Sequence, residues 1–281
     1  MDLIFQAIII GLIQGLTEFI PVSSSAHLEL APWILGWPQD GLIGSLSFNV
    51  FLHLGTLLAL LYHVGRDWLR MLGALWRSLL ERRVGDDPDR RLGLLLVLAT
   101  IPAAIIGFAF EDAIEAAFHG DDDMSRLAIC GFLVIGAAVL FVADRYGSRQ
   151  RDLDHVGIGR ALTIGLSQAA ALLPGISRSG ATMSTGLAFG LTRETAARFS
   201  FLLATPITIG AGIYGSRHLL TASHTSTEWV AIAAGFVAAA LSGALAIGFL
   251  LSWLRTRSMA VFCLERVLLA ALVVVLLALG H

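Results

Sequence analysis

Two short polar runs interrupt apolar stretches of the chain, and their side chains are of the types that handle phosphate groups. In the first run the polar residues are Gln14, Glu18, Ser23, Ser24, Ser25 and His27. A carboxylate, a hydroxyl and an imidazole close together are the parts of an activated nucleophile with its base. The alternative is that the hydroxyls only cap a helix start and that the whole set only joins helices.

The second polar run centres on Arg178, which lies between Ser177 and Ser179. Gly175, Gly180 and Thr182 complete this run. An Arg among hydroxyls at a helix start suits an anion, because the guanidinium fork, the free N–H groups and the helix dipole all favour phosphate oxygens. A structural ion pair between Arg178 and Glu18 is the alternative, and it is compatible with a functional site.

The composition places these polar runs in a membrane. The chain has 281 residues, of which 56% are hydrophobic and only 14% charged, and its mean hydropathy is +0.78. Soluble domains carry about 25% charged residues, so much of this surface must face lipid. The formal net charge of −2 argues against a nucleic-acid partner. All 19 basic residues are Arg, which excludes phosphate loops and Schiff bases that need Lys.

Six charge-poor stretches are long enough to cross a bilayer, which takes about 20 apolar residues. They are 41–65, 92–110, 127–143, 199–216, 229–254 and 259–280. Two further apolar stretches, 3–33 and 156–191, are broken at 21–27 and 174–180 by the two polar runs. Half-helices cannot cross about 30 Å of hydrocarbon. The pattern therefore predicts two re-entrant helical hairpins, and such broken backbone is tolerated in a membrane where it lines a cavity.

The distribution of Arg supports this layout. With two hairpins and six spans, 15 of the 19 Arg fall on one side of the membrane, the cytoplasmic side. Both termini then lie on the external side. Each half, 1–143 and 144–281, has one hairpin and three spans, so the two halves have opposite orientations. The sequence thus predicts an all-α integral membrane protein built as an inverted repeat, with both hairpin tips near the midplane.

Two other segments have milder signals. The segment 68–80 is amphipathic, with Trp and Leu residues opposite Arg70 and Arg77, and is interpreted as an interfacial helix. Asn49 and His53 share one face of a predicted span. Hydrogen bonding between helices is favoured over chemistry for this pair.

The two polar runs are similar to the signature motifs of a known family. The run QGLTEFIPVSSSAH at 14–27 and the run PGISRSGAT at 174–182 resemble those of the bacterial undecaprenyl pyrophosphate phosphatases, sometimes called bacitracin-resistance proteins. Supporting stretches are FLHLGTLLA at 51–59, TIPAA at 100–104 and TAARFSFLL at 195–203. The resemblance covers nearly the whole chain.

The resemblance implies that undecaprenyl pyrophosphate in the bacterial cytoplasmic membrane is hydrolysed to undecaprenyl phosphate, which recycles the lipid carrier of cell-wall glycans and confers bacitracin resistance. It implies a divalent cation, Mg²⁺ or Ca²⁺, with Glu18 as a ligand. The implied catalytic residues are Glu18, Ser24, His27 and Arg178. The implied substrate-binding residues are Gln14, Ser23, Ser25, Ser177, Ser179 and Thr182. The chain departs from the family pattern at Gln14, where many members have Glu, and at Ala26, where Gly is usual.

Several alternatives stay open at this point. Arg178 is expected to clamp the pyrophosphate and Glu18 to bind the metal or act as base, whereas Ser24, His27 or an activated water is the nucleophile. Inverted repeats with broken helices also build secondary transporters, so a carrier or flippase for a lipid phosphate is the second hypothesis. A pure carrier needs Arg178 but neither nucleophile nor base. The oligomeric state, monomer or homodimer, is also open.

Overall fold

The computed structural model describes residues 2–38, 41–118, 122–221 and 224–280, and in these ranges the chain forms ten α-helices and no strand. The all-α prediction is thereby confirmed. The helices are α1 (Leu3–Phe19), α2 (Ser24–Ile34), α3 (Leu46–Glu81), α4 (Pro88–Phe118), α5 (Asp123–Tyr146), α6 (Ile158–Ser167), α7 (Arg178–Ala188), α8 (Arg193–Thr221), α9 (Ser226–Leu254) and α10 (Ala260–Ala278).

Six of these helices in the described part of the chain, namely α3, α4, α5, α8, α9 and α10, are long and apolar enough to cross a membrane. They match the six predicted spans, so the chain is a multi-pass membrane protein. Helix α3 differs in length, because its 36 residues extend about 54 Å, well beyond the hydrocarbon core. The segment 68–80 is therefore the continuation of α3 rather than a separate interfacial helix. Its Met71 and Ala74 are buried in the protein, whereas Leu72 and Trp76 are exposed.

Each of the two broken apolar stretches forms a pair of short helices. Helices α1 and α2 are separated at 20–23, and α6 and α7 are separated by a 3₁₀ turn at Gln168–Leu172 and the segment 173–177. Helices α2 and α7 have 11 residues each, about 16 Å, and cannot cross a membrane alone. The breaks end earlier than the polar runs suggest, because helix geometry resumes directly after Ser23 and Ser177.

The two breaks have the same local geometry. Ser23 and Ser177 each precede a helix with a positive φ, 77° and 71° respectively, which is uncommon for a residue with a Cβ. In each break the hydroxyl lies close to that of the serine two residues later, at 3.2 Å from Ser25 and 3.1 Å from Ser179. This tight turn sets the direction of the residue between the two serines, Ser24 in one break and Arg178 in the other.

Glycines bring the first helix of each broken pair against a long helix of the other half. A Cβ on Gly11 would meet the backbone of Gly235 in α9, and a Cβ on Gly165 would meet the backbone of Ala99 in α4. Small residues at such contacts let membrane helices approach closely. The α1–α9 and α4–α6 pairings are those that an internal two-fold axis would produce. They support the inverted repeat of 1–143 and 144–281, which stays a prediction.

Candidate functional site

The carboxylate of Glu18 is the centre of a polar cluster that joins the two breaks. Its side chain is only 6% exposed. Oε1 accepts a hydrogen bond from Arg178 Nη2 at 2.5 Å, and Oε2 accepts from Ser24 Oγ at 2.7 Å and from Gln14 Nε2 at 3.0 Å. A buried carboxylate is costly unless it is paired and hydrogen-bonded. These donors from both breaks meet that requirement, and they fix the orientation of the carboxylate.

The local fold explains why Glu18 lies at the break. It is the penultimate residue of α1, one helical turn after Gln14, so both side chains share a face. The next residue, Phe19, is buried and packs edge-to-face on Phe201 of α8, with 5.6 Å between the ring centroids. This contact anchors the end of α1 to the second half of the chain.

Ser24 is the first residue of α2, and its hydroxyl is aligned with a base. Because an ionised carboxylate can only accept, the Ser24 O–H points at Glu18 Oε2. The side chain of Ser23 makes no capping hydrogen bond to α2, whereas Ser177 accepts one from the Gly180 N–H at 3.1 Å. The backbone N–H groups in the first turn of α2 therefore have no hydrogen bond to the side chain of Ser23, and they can donate to an anion.

Arg178 is the first residue of α7, and two partners orient its guanidinium. Nη2 contacts Glu18, and Nη1 donates to Thr208 Oγ1 of α8 at 2.9 Å. The side chain is 19% exposed, so a ligand can still reach part of the guanidinium. A guanidinium held in this way can bind phosphate oxygens through two parallel hydrogen bonds.

His27 lies in the first turn of α2, and both of its ring nitrogens have partners. Nδ1 lies 2.8 Å from the carbonyl oxygen of Ser23. A carbonyl only accepts, so Nδ1 carries a hydrogen. Nε2 lies 3.0 Å from Oε1 of Glu265 in α10. In this arrangement neither nitrogen is free to attack phosphorus or to take a proton from Ser24.

The remaining predicted residues hold the breaks together. Ser179 donates to the carbonyl of Ile20 at 3.4 Å, which links the second break to the first. Thr182 Oγ1 lies 2.7 Å from the Ser200 hydroxyl of α8. Ser23 and Ser177 are buried, and Ser25 is partly exposed. Direct contact of these hydroxyls, or of Gln14, with substrate stays a prediction.

Three residues of the cluster were not selected as site residues from the sequence. His53 of α3 has Nε2 3.7 Å from Glu18 Oε2, with Nδ1 on the carbonyl of Asn49. Thr208 supports Arg178, and Glu265 supports His27. An ionisable residue inside an apolar span is expensive and usually functional, so Glu265 carried a signal in the sequence. Thr208 carried none.

The donor set near Glu18 bears on the implied cation. Among the described residues no group of three or more His, Cys, Asp or Glu could hold a metal ion. Gln14 Oε1 is buried and lacks a hydrogen-bond donor in this part of the chain. One carboxylate and one amide oxygen suit Mg²⁺ when substrate phosphates and water supply the other ligands. A divalent cation held by Glu18, Gln14 Oε1 and substrate phosphates stays a prediction.

Comparisons with known proteins give the family of the chain. Residues 7–272 match the family described as bacitracin resistance protein BacA. The chain is 46% identical over 277 residues to an undecaprenyl-diphosphatase of Rubrobacter xylanophilus, covering 98% of this chain and 99% of that protein. It is 40% identical to the corresponding protein of Thermomicrobium roseum, over 95% of each chain. For that of Alcanivorax borkumensis the identity is 43%, over 94% of this chain and 96% of the other.

Proposed function

The chain belongs to the family of BacA bacitracin resistance proteins, and we propose that it is an undecaprenyl-diphosphatase. It hydrolyses undecaprenyl pyrophosphate to undecaprenyl phosphate and inorganic phosphate within the membrane. This activity recycles the lipid carrier for peptidoglycan and other cell-wall glycans, and it confers resistance to bacitracin. The relatives of this chain carry the same activity in their names.

One observation carries the proposal most directly. Glu18 contacts a hydroxyl of one break, Ser24, and a guanidinium of the other, Arg178. A nucleophile and a phosphate clamp thus contact the same carboxylate, which can act as the base. This combination serves phosphoryl transfer, in which catalysis is mainly positioning and charge stabilisation.

In the first half of the reaction, Ser24 Oγ attacks the terminal phosphorus of the pyrophosphate. Its proton passes to Glu18 Oε2, along the existing 2.7 Å hydrogen bond. The bond between the terminal phosphorus and the bridging oxygen breaks, and its electron pair leaves with undecaprenyl phosphate. Ser24 is favoured over His27 because both nitrogens of His27 are engaged.

In the second half, water attacks the phosphorus of phosphorylated Ser24. The P–Oγ bond breaks, and Ser24 recovers its proton from Glu18. One proton of the water stays on the inorganic phosphate, and the other is released to solvent. One proton per turnover is therefore released, and the enzyme returns to its starting state.

Arg178 and the start of α2 bind the charge of the substrate. The guanidinium exchanges part of its contact with Glu18 for phosphate oxygens, while Thr208 holds its other nitrogen. The uncapped N–H groups of α2 donate to oxygens of the attacked phosphate. A divalent cation, when bound at Glu18 and Gln14 Oε1, would neutralise further phosphate charge. Ser177, Ser179 and Thr182 keep Arg178 in position.

The proposal includes a membrane orientation. The protein lies in the bacterial cytoplasmic membrane, with the Arg-rich ends of its six spans on the cytoplasmic side and both termini outside. The two halves, 1–143 and 144–281, form an inverted repeat, and the matched breaks at Ser23 and Ser177 support this arrangement.

Phosphate release in detergent tests the function and separates it from transport. Without compartments a pure carrier has no measurable activity, whereas a phosphatase releases inorganic phosphate from a polyprenyl pyrophosphate. The assay uses chain lengths from farnesyl to undecaprenyl, each with and without chelator. We expect release that depends on chain length and falls when the chelator is present. Absence of release at every length and cation concentration would contradict the proposed function.

A further inference from the structure

Helix α10 carries two adjacent ionisable residues, Glu265 and Arg266, inside an otherwise apolar membrane span. Each residue reaches a different break. Glu265 Oε1 lies 3.0 Å from Nε2 of His27, next to the first break. Arg266 Nη2 donates to the carbonyl oxygens of Gly175 and Ile176 in the second break, at 2.5 and 2.9 Å.

The burial of Arg266 shows that this contact is not incidental. Its side chain is 0% exposed, and by volume it is the largest of the fully buried side chains in the described part of the chain. Glycines provide its space, since a Cβ on Gly136 would collide with the guanidinium and a Cβ on Gly180 would lie 3.2 Å from Nη1. A charge at that depth is costly unless a specific contact requires it. Here Nη2 donates to two carbonyls of the break, Gly175 and Ile176, which come directly before Ser177.

Glu265 has a comparable relation to the first break. The Ser23 carbonyl orients His27 through Nδ1, and Glu265 holds the other end of the ring through Nε2. The ring therefore ties the backbone at Ser23, the residue before Ser24, to α10. Among the described residues, buried Oε2 of Glu265 has no hydrogen-bond donor. The carboxylate is therefore held through Oε1, by its contact with His27.

Extending the proposed function, we propose that Glu265 and Arg266 are a pair of positioning residues that hold the two half-sites in register. Glu265 sets the first half through His27, and with it the placement of Ser24. Arg266 sets the second half through the backbone before Arg178. The two residues are adjacent on one helix, so α10 holds both breaks at a fixed separation. This separation allows Ser24 and Arg178 to contact Glu18 at the same time.

A double-mutant cycle tests the first half of this proposal. The variants are Glu265→Gln, His27→Asn and the double variant, with phosphate release as the assay. We expect Glu265→Gln to lower kcat about 10- to 100-fold with little change in KM, because misplacement of reacting groups costs up to about 10² in rate. The double variant should be no slower than His27→Asn alone. Losses that multiply in the double variant would overturn the role of Glu265 through His27.

A spectroscopic measurement gives a readout that a merely structural role would not change. Nitrogen NMR of histidine-labelled protein, with His27→Asn used for assignment, reports the hydrogen bonding of both ring nitrogens. The Nε2 resonance should shift in Glu265→Gln and stay unchanged in Glu194→Gln, which removes only a surface ion pair with Arg255. An unchanged Nε2 resonance in Glu265→Gln would contradict the contact.

For the second half, Arg266→Lys keeps the charge, but its shorter side chain withdraws the donor that, as Nη2 of Arg266, reaches both carbonyls. We expect a raised KM and a lowered kcat, because the clamp at Arg178 is displaced, with a thermal midpoint that still shows a folded protein. Wild-type kinetics in this variant would overturn the role of Arg266. If Arg266→Lys fails to fold, phosphate release by Arg266→Ala is measured with and without added guanidinium. A rate that guanidinium does not raise would also overturn the role of Arg266. Phosphate release by the wild type separates these outcomes from failure of the proposed function itself.

Discussion

Glu18 and Arg178 are 160 residues apart in the sequence, yet Arg178 Nη2 lies 2.5 Å from Glu18 Oε1. Glu18 is the penultimate residue of α1 and Arg178 is the first residue of α7, so neither break alone contains both charges. The ion pair joins the two halves of the chain at one polar cluster, which is the proposed site.

Ser24→Ala is expected to lower phosphate release at least about 10³-fold, since removal of a nucleophile disables the catalytic unit as a whole. Ser78→Ala is the control, because its hydroxyl donates to the carbonyl of Arg83 at the end of α3 and not to a residue of either break. Rapid quenching with substrate labelled at the terminal phosphate should trap label on wild-type protein and none on Ser24→Ala. Label on both proteins would contradict the assignment of the nucleophile.

Arg178→Lys is expected to lower kcat/KM about 10²- to 10³-fold. The charge is kept, but lysine has no planar guanidinium. It cannot donate to Thr208 and Glu18 at once through separate nitrogens, and it cannot bind phosphate through two parallel hydrogen bonds. Arg77→Lys, at an exposed position of α3, serves as the control and should match the wild type. Similar kinetics for both variants would mean that a point charge suffices at Arg178.

His53→Gln is expected to lower kcat about 5-fold, since its contact with Glu18 is long and partly exposed, and such pairs contribute little. The control is His63→Gln on the same helix, where Nε2 contacts the carbonyl of Ala244 instead. A loss of about 10³-fold in His53→Gln would contradict this estimate and make His53 a proton acceptor in the reaction.

Gly15→Ala is expected to destabilise the protein by about 1–3 kcal/mol, the usual cost of overpacking. A Cβ there would collide with Ser242 and the backbone of α9. Gly73→Ala, where a Cβ meets no atom within 4 Å, should be neutral or stabilise by up to about 1 kcal/mol. Thermal unfolding in the same detergent measures both. Equal midpoints for the two variants would contradict the close α1–α9 contact.

Much of the fold could be predicted from the sequence, because a lipid environment leaves few options. Helices satisfy their own backbone groups, so charge-poor stretches of sufficient length predict the six spans. The separation of α3 from the segment 68–80 was wrong. The amphipathic pattern of that segment is equally compatible with a helix that leaves the membrane and continues, and it does not show where the chain bends.

The site could be predicted in part. Glu18, Ser24 and Arg178 are predicted as site residues because carboxylate, hydroxyl and guanidinium groups are rare in apolar runs. The structure places the three in contact, and their roles stay predictions. The partners Thr208 and Glu265 could not be assigned, since they reach the site from other helices and depend on packing rather than on spacing. His27 shows the limit most clearly. An imidazole next to serines suggests a base or a nucleophile, and only the positions of the Ser23 carbonyl and Glu265 show that its nitrogens are engaged.

The central claim is that Glu18 links a nucleophile in one break to a phosphate clamp in the other. The most direct test is phosphate release from undecaprenyl pyrophosphate by Glu18→Gln in detergent, next to wild type and to Glu81→Gln, which alters only the ion pair with Arg90 at the end of α3. Gln has the same shape as Glu but cannot take the proton of Ser24. We predict a kcat about 10³-fold below wild type for Glu18→Gln and an unchanged rate for Glu81→Gln. A rate for Glu18→Gln within about tenfold of wild type would contradict the account.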